Sequence, residues 1–169
     1  NFEASYDDLV IDGSVPEGIS GSLYRIGPNP KFVEGTYHWF FGAGMVHAFH
    51  IDNGRVDYRN RWVRTPKLEQ EIALGHGLNL DININKDTGQ LESNRRNGVA
   101  NTHILTHGDH LIALEEGSHP FSVDPQSLTS KGYGHYGDGI NGAMTAHPKI
   151  DPETGELHGF GYMTDHFGS

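Results

Sequence analysis

Short runs of alternating apolar and polar residues, each followed by a turn signal, dominate the chain and predict β-strands. Asp52-Asn53-Gly54 is a strong hairpin signal, because Asn-Gly readily adopts the positive backbone angles of a two-residue turn. The predicted strands are residues 22–26, the hairpin of 45–51 with 56–63, the hairpin of 102–106 with 110–114, and the hairpin of 146–150 with 157–163. The pattern indicates successive antiparallel pairs.

One helix is predicted over Pro66–Leu74. Thr65 is suited to the N-cap, Pro66 to the first helical position and Gly75 to the C-terminal stop. Leu68 and Ile72 are four residues apart and share a face. A helix of this length cannot provide a helical core, so the predicted fold class is all-β with short helical elements.

Asp/Gly turns recur along the chain and suit either a β-sandwich or a β-propeller. Their spacing of roughly 30–40 residues is closer to a propeller blade, which takes about 40–50 residues. The 169 residues therefore hold fewer than four blades. We expect residues 1–169 to be a fragment of a longer protein, with a complete small β-sandwich as the alternative.

The charge of the chain argues against nucleic acid as a partner, because 12 Lys and Arg face 22 Asp and Glu, a formal charge of −10. The absence of cysteine excludes disulfides, thiolate metal sites and a cysteine nucleophile. No apolar run approaches the roughly 18 residues of a membrane span, and we expect a cytoplasmic location. Twelve histidines are the unusual count, since imidazole ligates metals and moves protons near neutral pH.

The spacing of the histidines does not predict a local metal cluster. His103 and His107 would lie about 13 Å apart along a strand, too far to share one ion. His47 and His50 are an odd number of residues apart and therefore point to opposite faces of their strand. A metal would need single histidines converging from separate strands, as they can at the axis of a propeller.

His147 is the strongest single candidate for such a ligand. Pro148 disfavours helical backbone at His147 and removes one N–H, which places this segment at a strand start or an open edge. By spacing alone, a histidine placed there for packing is an equally good interpretation.

Four segments, in order, resemble the carotenoid cleavage oxygenases. The segment containing His147, MTAHPKIDPETGE at 144–156, resembles the first iron-ligand segment of that family. The other three are GSLYRIGPNP at 21–30, FGAGMVHAF at 41–49 with RWVRT at 61–65, and NT at 101–102 with LIALEEG at 111–117. The resemblance extends from about residue 9 almost to the end of the chain.

The resemblance implies that residues 1–169 are the N-terminal portion of a single oxygenase domain, a seven-bladed β-propeller with short helical cap elements, whose remaining blades are absent. It also implies an Fe(II) cofactor held by four axial histidines, and oxidative cleavage of a conjugated C=C bond by O2 to two carbonyl products. His147 matches the first metal ligand, and Glu116 matches a glutamate that accepts a hydrogen bond from a ligand histidine. The other three ligands would come from later blades.

The partners implied are O2 and an apolar conjugated small molecule, either a stilbenoid or an apocarotenoid. Trp39-Phe40 and residues 59–62 resemble the stilbene-cleaving branch, which places a lysine where this chain has Glu115. We expect Glu115 to lie near the substrate and, on strand alternation, to face the opposite way from Glu116. A carboxylate there accepts a hydrogen bond from a neutral phenol but repels a phenolate.

Two alternatives remain at this point. The first is a non-catalytic propeller binding module whose acidic Asp/Gly turns hold Ca²⁺ or a partner. The second is a member of the family that has lost activity.

Overall fold

Antiparallel strands are the main regular elements of the computed structural model, which describes residues 1–33, 39–78, 82–84, 91–93, 98–133 and 143–161. The strands are β1 (Ala4–Tyr6), β2 (Gly21–Pro28), β3 (Gly44–Asp52), β4 (Arg55–Trp62), β5 (Ile82–Ile84), β6 (Leu91–Ser93), β7 (His103–His107), β8 (His110–Leu114), β9 (Phe121–Val123), β10 (Ser130–Tyr133), β11 (Lys149–Ile150) and β12 (Leu157–His158). A 3-10 turn (Trp39–Phe41) and helix α1 (Pro66–Leu74) complete the described elements.

The strands form successive sheets. The first sheet has the order β1-β4-β3-β2, and the second has the order β10-β9-β8-β7. The pairs β5-β6 and β11-β12 form two smaller sheets. The two long predicted hairpins are confirmed and lie in different sheets, with boundaries that differ by one residue from the prediction for most strands. Asn53 and Gly54 turn the first hairpin with φ of 48° and 80°, as an Asn-Gly turn requires.

Helix α1 forms where its caps predict. The Thr65 hydroxyl accepts a hydrogen bond from the Leu68 amide at 3.4 Å, and Gly75 ends the helix with a φ of 75°. Leu68 packs into a cluster with Met45 and Trp62, which are paired across β3 and β4. Lys67 and Glu71 form a buried ion pair one turn apart. The predicted helix is confirmed, and among the described residues it is the only α-helix.

Both faces of β8 are buried, which sets the order in which the sheets stack. Leu111 and Ala113 share a core cluster with Val46 and Ala48 of β3 in the first sheet. The alternate residues Ile112 and Leu114 pack instead against Ala146, just before β11. Because alternate side chains of a strand point to opposite faces, the second sheet lies between the first sheet and the segment that carries His147.

The third predicted hairpin is shorter than expected. It pairs Lys149 with His158 and Ile150 with Leu157, and residues 146–148 precede the strand. Pro148 has no N–H to donate, which is consistent with pairing that begins after it. Residues 162–163, the predicted end of this hairpin, lie outside the described residues. Within the described part of the chain, no helix is long and apolar enough to cross a membrane.

Gly44 provides a test of the packing between sheets. The Gly44 amide donates to the Val99 carbonyl at 2.8 Å, and a Cβ at Gly44 would overlap the Ala100 carbonyl oxygen. We expect Gly44→Ala to lower the free energy of unfolding by roughly 2–3 kcal/mol, because backbone cannot yield to the added methyl group. Chemical denaturation measures this loss.

Gly27 is the matched control, because it pairs with Met45 in the neighbouring strand and has no atom within 4 Å of its added Cβ. Gly27→Ala should change the free energy of unfolding by less than about 1 kcal/mol. Equal losses for the two variants would contradict the close approach of Gly44 to residue 100.

Candidate functional site

The backbone before β11 is fixed on both sides. The Met144 amide donates to the Ser118 carbonyl at 3.2 Å, and the Thr145 amide donates to the Phe160 carbonyl at 2.7 Å. Ala146 is fully buried, and the His147 amide donates to the Thr145 hydroxyl at 3.1 Å. The His147 side chain is nevertheless 64% exposed. A rigid segment therefore presents an accessible imidazole.

Glu116 lies beside this imidazole. Its Oε1 is 3.5 Å from His147 Nε2, and its Oε2 is buried without a hydrogen-bond partner among the described residues. A buried carboxylate oxygen without a donor is costly, so Glu116 has the capacity to accept a further N–H. The two residues predicted from the family motifs are thus brought together across two sheets.

We predicted that Glu115 and Glu116 face opposite ways because they alternate along a strand, and that strand placement is wrong. Strand β8 ends at Leu114, and both glutamates lie in the turn that follows it. They still contact different groups, because Glu115 Oε2 accepts a hydrogen bond from the Gly117 amide at 2.8 Å. The turn, not the pleat of the strand, sets their directions.

Tyr133 lies within the electrostatic range of Glu115. Burial raises the pKa of Tyr133 to about 12, and the Glu115 carboxylate adds to this shift. The tyrosine therefore stays protonated at neutral pH. Whether Glu115 contacts a substrate stays a prediction.

The position of His103 beside His147 was not predicted from the histidine spacing. Their ring centroids are 6.0 Å apart with an angle of 46° between the ring planes. Burial chiefly, then the neighbouring His147 and Lys149, lowers the pKa of His103 from its ordinary value of 6.5. His103 pairs with Leu114, at the end of the hairpin that leads to the two glutamates. The predicted hairpin, by pairing His103 with the end of the strand before Glu115, could have indicated that His103 lies near the two glutamates.

The remaining histidines of the two pairs, His107 and then His47 with His50, have separate partners, as strand geometry predicts. His107 lies at the other end of β7, where its Nε2 is 3.0 Å from the Gly155 carbonyl oxygen. His47 contacts the Tyr58 hydroxyl and His50 contacts the Ser22 hydroxyl, so these two histidines have separate partners. Among the described residues, no three His, Cys, Asp or Glu side chains form a group that could hold a metal.

Asn101 connects this site to an aromatic surface. Its side-chain amide is buried and donates to the carbonyl oxygens of Phe40 and Gly42, both at 2.8 Å. The 3-10 turn is thereby fixed two residues from His103. Trp39 and Phe40 are 61% and 56% exposed, and their ring centroids are 4.2 Å apart. Two exposed aromatic side chains are thereby tied to the residue two positions before the strand that begins at His103.

The donors present fit one corner of an imidazole-bound metal site. His147 offers an accessible imidazole ligand, and Glu116 offers the kind of carboxylate that commonly accepts the second ring N–H of such a ligand. The buried, unpartnered Oε2 of Glu116 is consistent with a further imidazole donor. The described residues thus suit one ligand and one supporting carboxylate of a metal centre.

Comparison with known proteins decides the family. The family model described as retinal pigment epithelial membrane protein, RPE65, matches residues 1–168. The chain belongs to the RPE65/carotenoid cleavage oxygenase family. The recognition from the four sequence segments is confirmed.

This carotenoid cleavage oxygenase family member is similar to enzymes that are named for different substrates. It is 40% identical over 163 residues to isoeugenol monooxygenase from Pseudomonas putida, covering 95% of this chain and 34% of the relative. It is 37% identical over 175 residues to carotenoid 9,10(9′,10′)-cleavage dioxygenase 1 from Arabidopsis thaliana, covering 92% of this chain and 32% of the relative. The chain spans about a third of the length of these relatives.

The predicted fold of this chain is confirmed by its similarity to a solved structure of the family. The crystal structure of Pseudomonas brassicacearum lignostilbene dioxygenase matches with a TM-score of 0.84 and 36% identity, covering 95% of this chain and 34% of that one. The predicted all-β propeller class is correct, and the described sheets are part of such a propeller.

The environment of His103 predicts its titration. At His47, burial and then Arg25 lower the pKa in the same way. We therefore expect both His103 and His47 to titrate below the ordinary value of 6.5. Because the unfolded chain binds these protons at a higher pH, the two shifts should cost stability as pH falls below 6.5. NMR of the ring protons measures both midpoints, and a His103 midpoint at or above 6.5 would contradict the described packing.

Proposed function

We propose that this chain supplies the N-terminal blades of an Fe(II)-dependent oxygenase that cleaves a conjugated C=C bond with O2. The observation that carries the proposal is the meeting of His147 and Glu116, 3.5 Å apart, in a chain of the carotenoid cleavage oxygenase family. Their separate motifs match a metal ligand and a glutamate that accepts a hydrogen bond from a ligand histidine. The folded chain places the two side by side.

His147 is the proposed iron ligand contributed by this chain. Its backbone is held by hydrogen bonds at Met144 and Thr145, so the Cα of the ligand residue is in place before any ion binds. Holding the ligand in advance lowers the conformational cost of metal binding. The three further histidines implied by the family would belong to other parts of the whole protein.

Glu116 is proposed to balance charge and fix a ring tautomer. Neutral imidazoles leave the +2 charge of the ion uncompensated, and a carboxylate that accepts a ring N–H offsets part of it. When one ring nitrogen carries the proton that is donated to the carboxylate, the other ring nitrogen is unprotonated and can bind the metal. Glu116 can serve two donors, one at each oxygen, since Oε1 faces His147 and Oε2 is buried without a partner among the described residues.

When bound, the iron supplies O2 binding and activation beside the alkene. In the overall reaction the C=C bond is cleaved and each carbon receives one oxygen atom of O2, which yields two carbonyl products. The contribution of this chain is to hold the ligand imidazole, to balance its charge and to offer part of the surface around the substrate.

The proposed substrate is an apolar conjugated molecule, a stilbenoid or an apocarotenoid. The names of the relatives refer to isoeugenol, carotenoids and lignostilbene. The exposed rings of Trp39 and Phe40 favour such a molecule, because they offer apolar surface to it. Glu115 is the proposed polar contact, where it would accept a hydrogen bond from a neutral phenol and repel a phenolate.

The acidic turns do not favour the alternative of a calcium-binding module. Asp124 Oδ1 accepts hydrogen bonds from the amides of Gln126 and Ser127. Asp151 Oδ1 accepts from the amides of Glu153 and Thr154 in the same way. These carboxylates cap their own turns, which gives the recurrent Asp a structural role.

Replacing His147 tests the metal proposal. We expect His147→Ala in the full-length protein to abolish iron binding, because one of four ligands is lost. His107→Ala is the matched control, because His107 contacts the Gly155 carbonyl oxygen at the other end of β7. Its iron content should stay near wild type. Iron measured per purified protein decides the matter, and equal losses in the two variants would show that the site is misplaced.

The two glutamates can be separated by a matched pair of variants. We expect Glu116→Gln to weaken iron affinity about 10–100-fold, because the acceptor oxygen stays but its charge is removed. Glu115→Gln should leave iron affinity intact and change the preference between a stilbene and an apocarotenoid. Affinity and turnover measured side by side test both roles. The reverse pattern would exchange the assignments of Glu115 and Glu116.

A further inference from the structure

Glu116 and His103 both lie beside the His147 imidazole. Glu116 Oε1 lies 3.5 Å from its Nε2, and the His103 ring lies with its centroid 6.0 Å from the His147 centroid. Groups this close to the ring influence which rotamer the His147 side chain adopts.

His103 is itself firmly placed. It is the first residue of β7 and pairs with Leu114, which is 1% exposed. On its N-terminal side, the Thr102 amide donates to the Leu114 carbonyl at 3.0 Å, and Asn101 is buried and hydrogen-bonded to the Phe40 carbonyl. The His103 ring is half-buried between this anchored backbone and His147. The His103 ring is therefore held in place beside the more exposed ring of His147.

We infer that His103 is a positioning residue that holds the His147 imidazole in its metal-binding orientation without ligating the metal. The inference rests on the proposed function, in which His147 is an iron ligand. Glu116 acts on one ring nitrogen, and the tilted His103 ring restricts rotation of the His147 side chain. Losing such a contact weakens metal binding while every ligand is kept, because more conformational freedom is lost when the metal binds.

A comparison of three variants in the full-length protein tests this role. His103→Ala removes the ring, His103→Phe keeps a flat ring without nitrogens, and His107→Ala removes a histidine from the far end of the same strand. Fe(II) affinity is measured by competition with a chromogenic chelator, and iron content is measured at saturating Fe(II). The visible absorption of the Co(II)-substituted protein reports the ligand geometry, and the thermal midpoint reports stability.

We expect His103→Ala to weaken Fe(II) affinity about 10-fold, at the lower end of the effect of supporting residues. Its iron content at saturation should equal that of wild type, and its Co(II) spectrum should change. His103→Phe should restore both the affinity and the spectrum. His107→Ala should leave affinity and spectrum unchanged, whatever its effect on the thermal midpoint.

Three outcomes would overturn the inference. Unchanged affinity in His103→Ala would show that the contact has no role in positioning. Loss of bound iron at saturation, without rescue by His103→Phe, would show that His103 is itself a ligand. Equal weakening in His103→Ala and His107→Ala would show a general loss of stability. Failure of the proposed function is distinct, because His147→Ala would then retain iron.

Discussion

Burial of β8 on both faces is the constraint on which the rest of the structure depends. Leu111, Ile112, Ala113 and Leu114 are each no more than 1% exposed. Burying a large apolar side chain contributes roughly 1.5–3 kcal/mol, and the alternating directions of these residues require a packing partner on each side. One face takes the first sheet, and the other takes the segment that ends in His147. Stacked sheets are thus a consequence of the sequence of one strand.

The same constraint assembles the site. Because β8 is pinned on both faces, the turn that follows it starts from a fixed point, and Glu116 emerges beside the segment packed on Ile112 and Leu114. The short pairing of β7 with β8 brings His103 to the same place. Apolar packing supplies the positions, and the polar groups supply the chemistry. The His147 ring is left accessible because its neighbour Ala146, not the histidine, fills the core.

Local signals predicted the local structure. The turn at Asn53-Gly54 and the helix between Thr65 and Gly75 depend on the backbone preferences of a few residues. The meeting of Glu116 with His147 could be inferred only from family motifs, since no spacing rule connects residues in different sheets. The contact between His103 and His147 needs the register of β7 against β8 together with the stacking of the next segment. The end of β8 at Leu114, which places Glu115 and Glu116 in a turn, likewise could not be predicted from strand periodicity.

We propose that packing around β8 directs His147 and Glu116 toward one iron ion. Anomalous diffraction at the iron edge, from crystals of the full-length protein loaded with Fe(II), tests this because it locates the ion without reference to activity. We expect iron bound to an imidazole nitrogen of His147, with the Glu116 carboxylate accepting an N–H from a ligating imidazole. Iron bound by other histidines, with His147 and Glu116 directed away from it, would show that packing around β8 does not assemble the iron site.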